Sequence, residues 1–75
     1  MQKETKTKRK AVSLISKVNL NIKRTREKAG LTQQELETST QLKAYKYESG
    51  TKDMTLTTLE IIANALNIEP YKLLQ

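Results

Sequence analysis

Residues 30–50 read Gly-Leu-Thr-Gln-Gln-Glu-Leu-Glu-Thr-Ser-Thr-Gln-Leu-Lys-Ala-Tyr-Lys-Tyr-Glu-Ser-Gly, and the fold is decided there. The opening glycine suits the left-handed position just past the end of a helix. Thr32 followed by Glu35 makes a capping box, in which the hydroxyl takes the Glu35 amide and the carboxylate reaches back to the Thr32 amide. A short helix starts there and buries Leu36. Beyond the polar run 37–40, residues 41–48 carry Ala44 and Tyr47 three apart, one face of a further helix. Ser49-Gly50 stops it. The expectation is two short helices joined by a tight turn.

Seventy-five residues make one domain with one small core, burying about 60% of the surface of the unfolded chain. Cysteine and histidine are both absent. Disulfides, thiolate ligands, the commonest metal ligand and the usual general base are therefore absent as well. Glu35 and Glu37 are the closest carboxylates, but positions two apart on a helix do not face each other. An enzyme is not expected, nor a cofactor, a metal or a small-molecule site. With no long apolar run and no secretory pattern, the chain reads as soluble and cytoplasmic, with no membrane partner.

Charge is unevenly spread. Residues 1–30 hold ten Lys and Arg against Glu4 and Glu27, a net of +8, while residues 31–75 hold four Lys against six acids, a net of −2. A basic end of this kind favours a polyanion, and beside two helices joined by a turn it suggests a helix-turn-helix. The plainer alternative is a solvated tail that keeps the chain soluble.

In chain order, residues 1–12 lack an apolar anchor and read as a disordered basic arm, leaving 13–75 as the folded domain. Ala11, Leu14, Ile15, Val18, Ile22, Thr25 and Ala29 recur at helical steps, with Ser13 a candidate N-cap. Asn19 and Asn21 weaken the middle of that helix. Further on, Thr55 or Thr57 caps a fourth helix whose buried stripe is Leu56, Leu59, Ile62, Ala63 and Leu66, with Asn67 past its end. Pro70 opens a short fifth helix over 70–74. No strand-like alternation appears, so the expected fold is all-α, a compact five-helix bundle.

The apolar stripe, Gly-Leu-Thr-Gln-Gln-Glu-Leu, Tyr-Glu-Ser-Gly and Thr-Leu-Thr-Thr-Leu-Glu-Ile-Ile-Ala-Asn-Ala-Leu-Asn-Ile together resemble the Cro/CI-type (XRE-like) helix-turn-helix family, over about residues 13–74. Leu14-Ile15-Ser16-Lys17-Val18 and the spacing from Glu48 to Thr55 are also similar to the small controller proteins of restriction–modification systems. The resemblance implies a lambda-repressor-like five-helix fold that binds double-stranded DNA as a homodimer. One departure stands out: between Leu36 and Glu48 the chain is a few residues shorter than the family pattern. If the deficit falls at the end of the second helix, Thr40 caps a normal recognition helix that projects Gln41, Leu42, Lys43, Tyr45 and Lys46. If it falls at the start of the third, Leu42 is the apolar turn residue and only Lys43, Tyr45 and Lys46 face outward.

In such a family the second helix of the motif lies in the major groove. Gln41 then pairs with adenine, Lys43 or Lys46 donates to guanine or phosphate, and Tyr45 meets a thymine methyl or a phosphate oxygen. Thr32 and Gln33 stand at a helix N-terminus that favours phosphate, and Thr51 and Lys52 follow the recognition helix toward the DNA backbone. The family spacing also implies a structural ion pair between Arg26 and Glu48. Ile68, Tyr71, Leu73 and Leu74 crowd apolar surface at the C-terminus and are the expected dimer contact. A transcriptional regulator is the leading expectation. The runner-up is a protein-interaction module on the same fold, an antirepressor or a regulator's partner, and a third reading is nonspecific binding through the arm.

Overall fold

Helix α1 (Gln2–Lys28) is the longest element, in a computed structural model that describes the backbone of residues 2–75 and the side chains from Ser13 onward. The backbone helix runs through Ser13 without a break, so the start expected there is not a helix start. Over residues 2–12, expected as a disordered basic arm, the backbone is helical, and the side chains there lie outside the described residues. Val18, Ile22 and Arg26 are buried at intervals of four along one face, with Asn19 beside them. Of the expected stripe, Leu14 is 47% exposed, Ala29 is exposed, and the Ala11 side chain is outside the described residues. The core contacts of α1 lie further along, and Leu14 stands beyond them.

Gly30 takes φ +76°, the left-handed turn that ends α1. Its amide donates to the Glu27 carbonyl and that of Leu31 to the Arg26 carbonyl, which closes the last carbonyls of the helix. Helix α2 (Gln33–Thr40) starts on a complete capping box of Thr32 and Glu35 and buries Leu36. Helix α3 (Ala44–Tyr47) is a single turn with Ala44 buried. Helix α4 (Leu56–Ala65) is capped by Thr55, whose hydroxyl accepts from the Thr58 amide. Its stripe Leu59, Ile62, Ala63 and Leu66 closes the core. Leu56 does not join that stripe; it sits 78% exposed in the first turn. Asn67 is left-handed at φ 59°, and the Ile68 amide returns to the Ala63 carbonyl.

The short fifth helix expected over Pro70–Leu74 is present as a 3₁₀ helix. The Lys72 amide closes on the Glu69 carbonyl three residues back, the tighter hydrogen bond of a 3₁₀ turn. The described chain thus has four α-helices and one 3₁₀ turn. Leu73 is fully buried in the core, so it is withdrawn from the C-terminal surface expected to make a dimer.

Polar side chains of α1 hold the later segments in place. Asn19 is fully buried. Its Oδ1 accepts from the amides of Gly50 and Lys52, each at 3.1 Å, and its Nδ2 donates to the Lys52 carbonyl at 3.0 Å. Ser16 Oγ donates to the Gly50 carbonyl at 2.8 Å, and Asn21 Nδ2 to the Leu73 carbonyl at 3.0 Å. Among the described residues no buried side-chain nitrogen or oxygen lacks a partner.

Asn19→Ala leaves two amides and one carbonyl of the loop after α3 without their partner. The expected loss is about 2–4 kcal/mol, from an unsatisfied-group cost of roughly 1–3 kcal/mol each with partial relief by water. Urea unfolding checks it; a loss under about 1 kcal/mol contradicts the role given to Asn19.

Candidate nucleic-acid interface

The boundary between α2 and α3 settles where the chain is short. Gln41 adopts φ 63° and ψ 22°, left-handed geometry, while its amide donates to the Glu37 carbonyl. A non-glycine residue there carries a cost of roughly 1–2 kcal/mol, held by the structure on either side. Thr40 is the last residue of α2; its Oγ1 donates to the Leu36 carbonyl at 2.8 Å and accepts from the Leu42 amide at 3.1 Å. Leu42 packs against the core as the apolar turn residue. The geometry matches the arrangement in which Leu42 is the apolar turn residue and α3 is short at its start. Thr40 and Gln41 therefore lie in the turn and not on a recognition helix, and the Gln41 amide nitrogen donates to the Thr38 carbonyl at 3.1 Å.

What remains of α3 divides cleanly by side. Ala44 is buried and Tyr47 packs on the core, while Tyr45 is 57% exposed and Lys43 and Lys46 are exposed beside it. Lys43 is the residue before the helix and supplies no side-chain cap. Its Nζ lies 3.3 Å from Glu37 Oε2, a solvent-exposed pair contributing at most about 1 kcal/mol.

Arg26 and Glu48 are brought together at the back of this face. Arg26 Nε donates to Glu48 Oε2 at 2.6 Å and a terminal nitrogen to Oε1 at 3.0 Å. The other terminal nitrogen donates to the Leu31 carbonyl at 2.7 Å. The two side chains are only 10% and 3% exposed. The hydrogen bond to Glu48 raises the Arg26 guanidinium above its ordinary value, against the opposing effect of burial. Gln33 Nε2 joins the pair, donating to Glu48 Oε1 at 3.0 Å. That bond orients Gln33 at the exposed start of α2, next to Thr32. On the far side of α3, Thr51 and Lys52 are exposed, and Lys52 Nζ stands 5.8 Å from the centre of the Tyr47 ring.

Two open depressions flank α2. One, of about 650 Å³, runs from Thr32 and Gln33 past Gln34 and Glu37 to Tyr45. The other, of about 320 Å³, is lined by Gln34, Glu37, Thr38, Gln41 and Lys43. Gln34, Glu37 and Thr38 are not among the site residues expected from sequence. Their spacing with Gln41 marks one polar helical side, a signal that becomes usable once α2 is known to reach Thr40.

The sequence profile described as Helix-turn-helix matches residues 22–73, from Ile22 in the last third of α1 to the buried Leu73. The chain belongs to the Cro/CI-type helix-turn-helix family. DNA binding is the activity of that family. Comparison with curated proteins and with solved structures gave no match. No helix among the described residues is long and apolar enough to cross a membrane.

Removing either partner of the buried pair strands the other charge. Arg26→Ala and Glu48→Ala are each expected to lower the unfolding free energy by about 3 kcal/mol, and the double variant by clearly less than the two together. Denaturant titration of the three variants checks this. Additive losses under about 1 kcal/mol each contradict it.

Proposed function

We propose that this protein is a transcriptional regulator that reads an operator in double-stranded DNA as a homodimer in the cytoplasm. The observation that carries the proposal is the division of α3: Ala44 and Tyr47 face the core, while Lys43, Tyr45 and Lys46 form a basic and aromatic outer face. On this reading Lys43 donates to a guanine edge and Tyr45 lies against a thymine methyl. Lys46, near the end of the helix, contacts phosphate. Thr32 and Gln33 meet a phosphate at the start of α2, and Thr51 and Lys52 meet the backbone on the other side. Gln41 takes part through the N–H and carbonyl oxygen that its bond to the Thr38 carbonyl leaves free, and Thr40 acts through the shape of the turn.

Dimerisation through the C-terminal segment is the second element of the proposal. Tyr71 and Leu74 are 55% and 41% exposed, with Ile68 partly buried beside the core. A two-fold pair would set two α3 helices about 34 Å apart, one turn of DNA.

A protein-interaction module, such as an antirepressor or a regulator's partner, is the second reading, and one observation favours it. A four-residue α3 without a side-chain cap offers fewer positions to base edges than a helix of ordinary length.

Binding at several salt concentrations separates these readings. On a selected site, Lys43→Ala or Tyr45→Ala is expected to cost about 1–3 kcal/mol, and much less on a scrambled duplex. Lys46→Ala is expected to weaken both duplexes alike. Deleting residues 1–10, with five Lys and Arg, is expected to weaken all duplexes and flatten the salt dependence. Equal loss on both duplexes for Lys43→Ala and Tyr45→Ala removes base reading, and no binding to any duplex favours the interaction module. Sedimentation at tens of micromolar is expected to show a dimer; monomer alone, with and without DNA, contradicts the C-terminal contact.

A further inference from the structure

Helix α3 is a single turn, Ala44–Tyr47, and one side of α2 lies open beside its start. Gln34, Glu37, Thr38 and Gln41 open onto solvent there together with Lys43. Glu37 and Gln34 line both depressions of this face. Among the described residues Glu37 is the only acid lining either. Its side chain is one-third exposed and its carboxylate is paired with Lys43 Nζ at 3.3 Å, the lysine side chain being 61% exposed.

An acid on a surface that meets DNA is unfavourable against phosphate and against the acceptor atoms of guanine and thymine. A carboxylate only accepts hydrogen bonds, so in the major groove its complementary partner is an exocyclic amine, above all N4 of cytosine. The pair with Lys43 is exposed enough to exchange at little cost. We propose that Glu37 is a specificity-determining residue of this face. On cognate DNA it accepts from a cytosine amine, and Lys43 turns from it to the guanine edge or a phosphate. On other sequences Glu37 finds only acceptors or phosphate, and its charge repels them. The exchange moves hydrogen bonds only. This inference rests on the base-reading proposal above.

The test is selection of duplexes from a random-sequence pool by the wild type, Glu37→Gln and Glu37→Ala, followed by equilibrium binding at one salt concentration. The wild-type pool is expected to hold a fixed C·G pair that is lost in the Glu37→Ala pool, with about tenfold discrimination at that position. Glu37→Gln keeps an acceptor oxygen but no charge. It is expected to retain the preference in weakened form and to bind scrambled duplexes several-fold tighter than the wild type does. Should Glu37→Ala fail to fold by thermal unfolding, the Glu37→Gln ratio of selected to scrambled binding decides. Identical selected sequences, with unchanged affinity for scrambled DNA, overturn the role of Glu37 and leave base reading by α3 standing. A wild type that enriches no sequence overturns base reading, and this inference falls with it.

Discussion

The Arg26 guanidinium joins segments that lie far apart in sequence and adds a polar link to the apolar core they share. It sits on α1, takes the Glu48 carboxylate at the end of α3 with two nitrogens, and reaches the Leu31 carbonyl with another. Gln33, at the start of α2, completes the set through the same carboxylate. Both charges are almost fully withdrawn from water, where an ion pair stabilises only if its remaining hydrogen-bonding capacity is met. Here it is met, and the two ends of the helix-turn-helix are registered against α1 by one side chain.

That registration matters because α3 cannot stand alone. A single turn spends the cost of helix nucleation on too few hydrogen bonds, and Lys43 offers no cap. Ala44 and Tyr47 on the core, Glu48 on Arg26 and the Asn19 clamp on the following loop supply what the helix lacks. The outer face is thereby free of structural duty. Lys43, Tyr45 and Lys46 can be chosen by what they touch outside the molecule, and the uncovered side of α2 is added to the same surface.

Local signals in the sequence carried much of this. The Thr32–Glu35 box, the glycine that ends α1, the left-handed Asn67 and the α4 stripe from Leu59 to Leu66 are all written within one or two turns of chain. The failures share a cause, which is distance. Asn19 and Asn21 weaken a helix by propensity, yet their partners lie 31 to 52 residues away, out of reach of any local rule. Leu14 and Leu56 fit their stripes by period but stand beyond the neighbours that would cover them. The turn was undecided because a left-handed position without glycine gives no signal, and Gln41 takes it on the strength of its surroundings. Gln34 and Glu37 carry no local signal either, since their shared open side depends on where α3 packs.

The central claim is that a one-turn α3, held from behind, presents its outer side and the flank of α2 to DNA. A two-dimensional amide NMR titration of the full chain with a selected duplex addresses it residue by residue. The account predicts that the largest shifts fall on residues 43–46, on the start of α2 at Thr32 and Gln33, and on the 51–52 loop, with α4 little changed. Shifts confined to the apolar surface around Leu14, Leu56 and Leu74, or absent from 43–46 under conditions where the duplex binds, would contradict it.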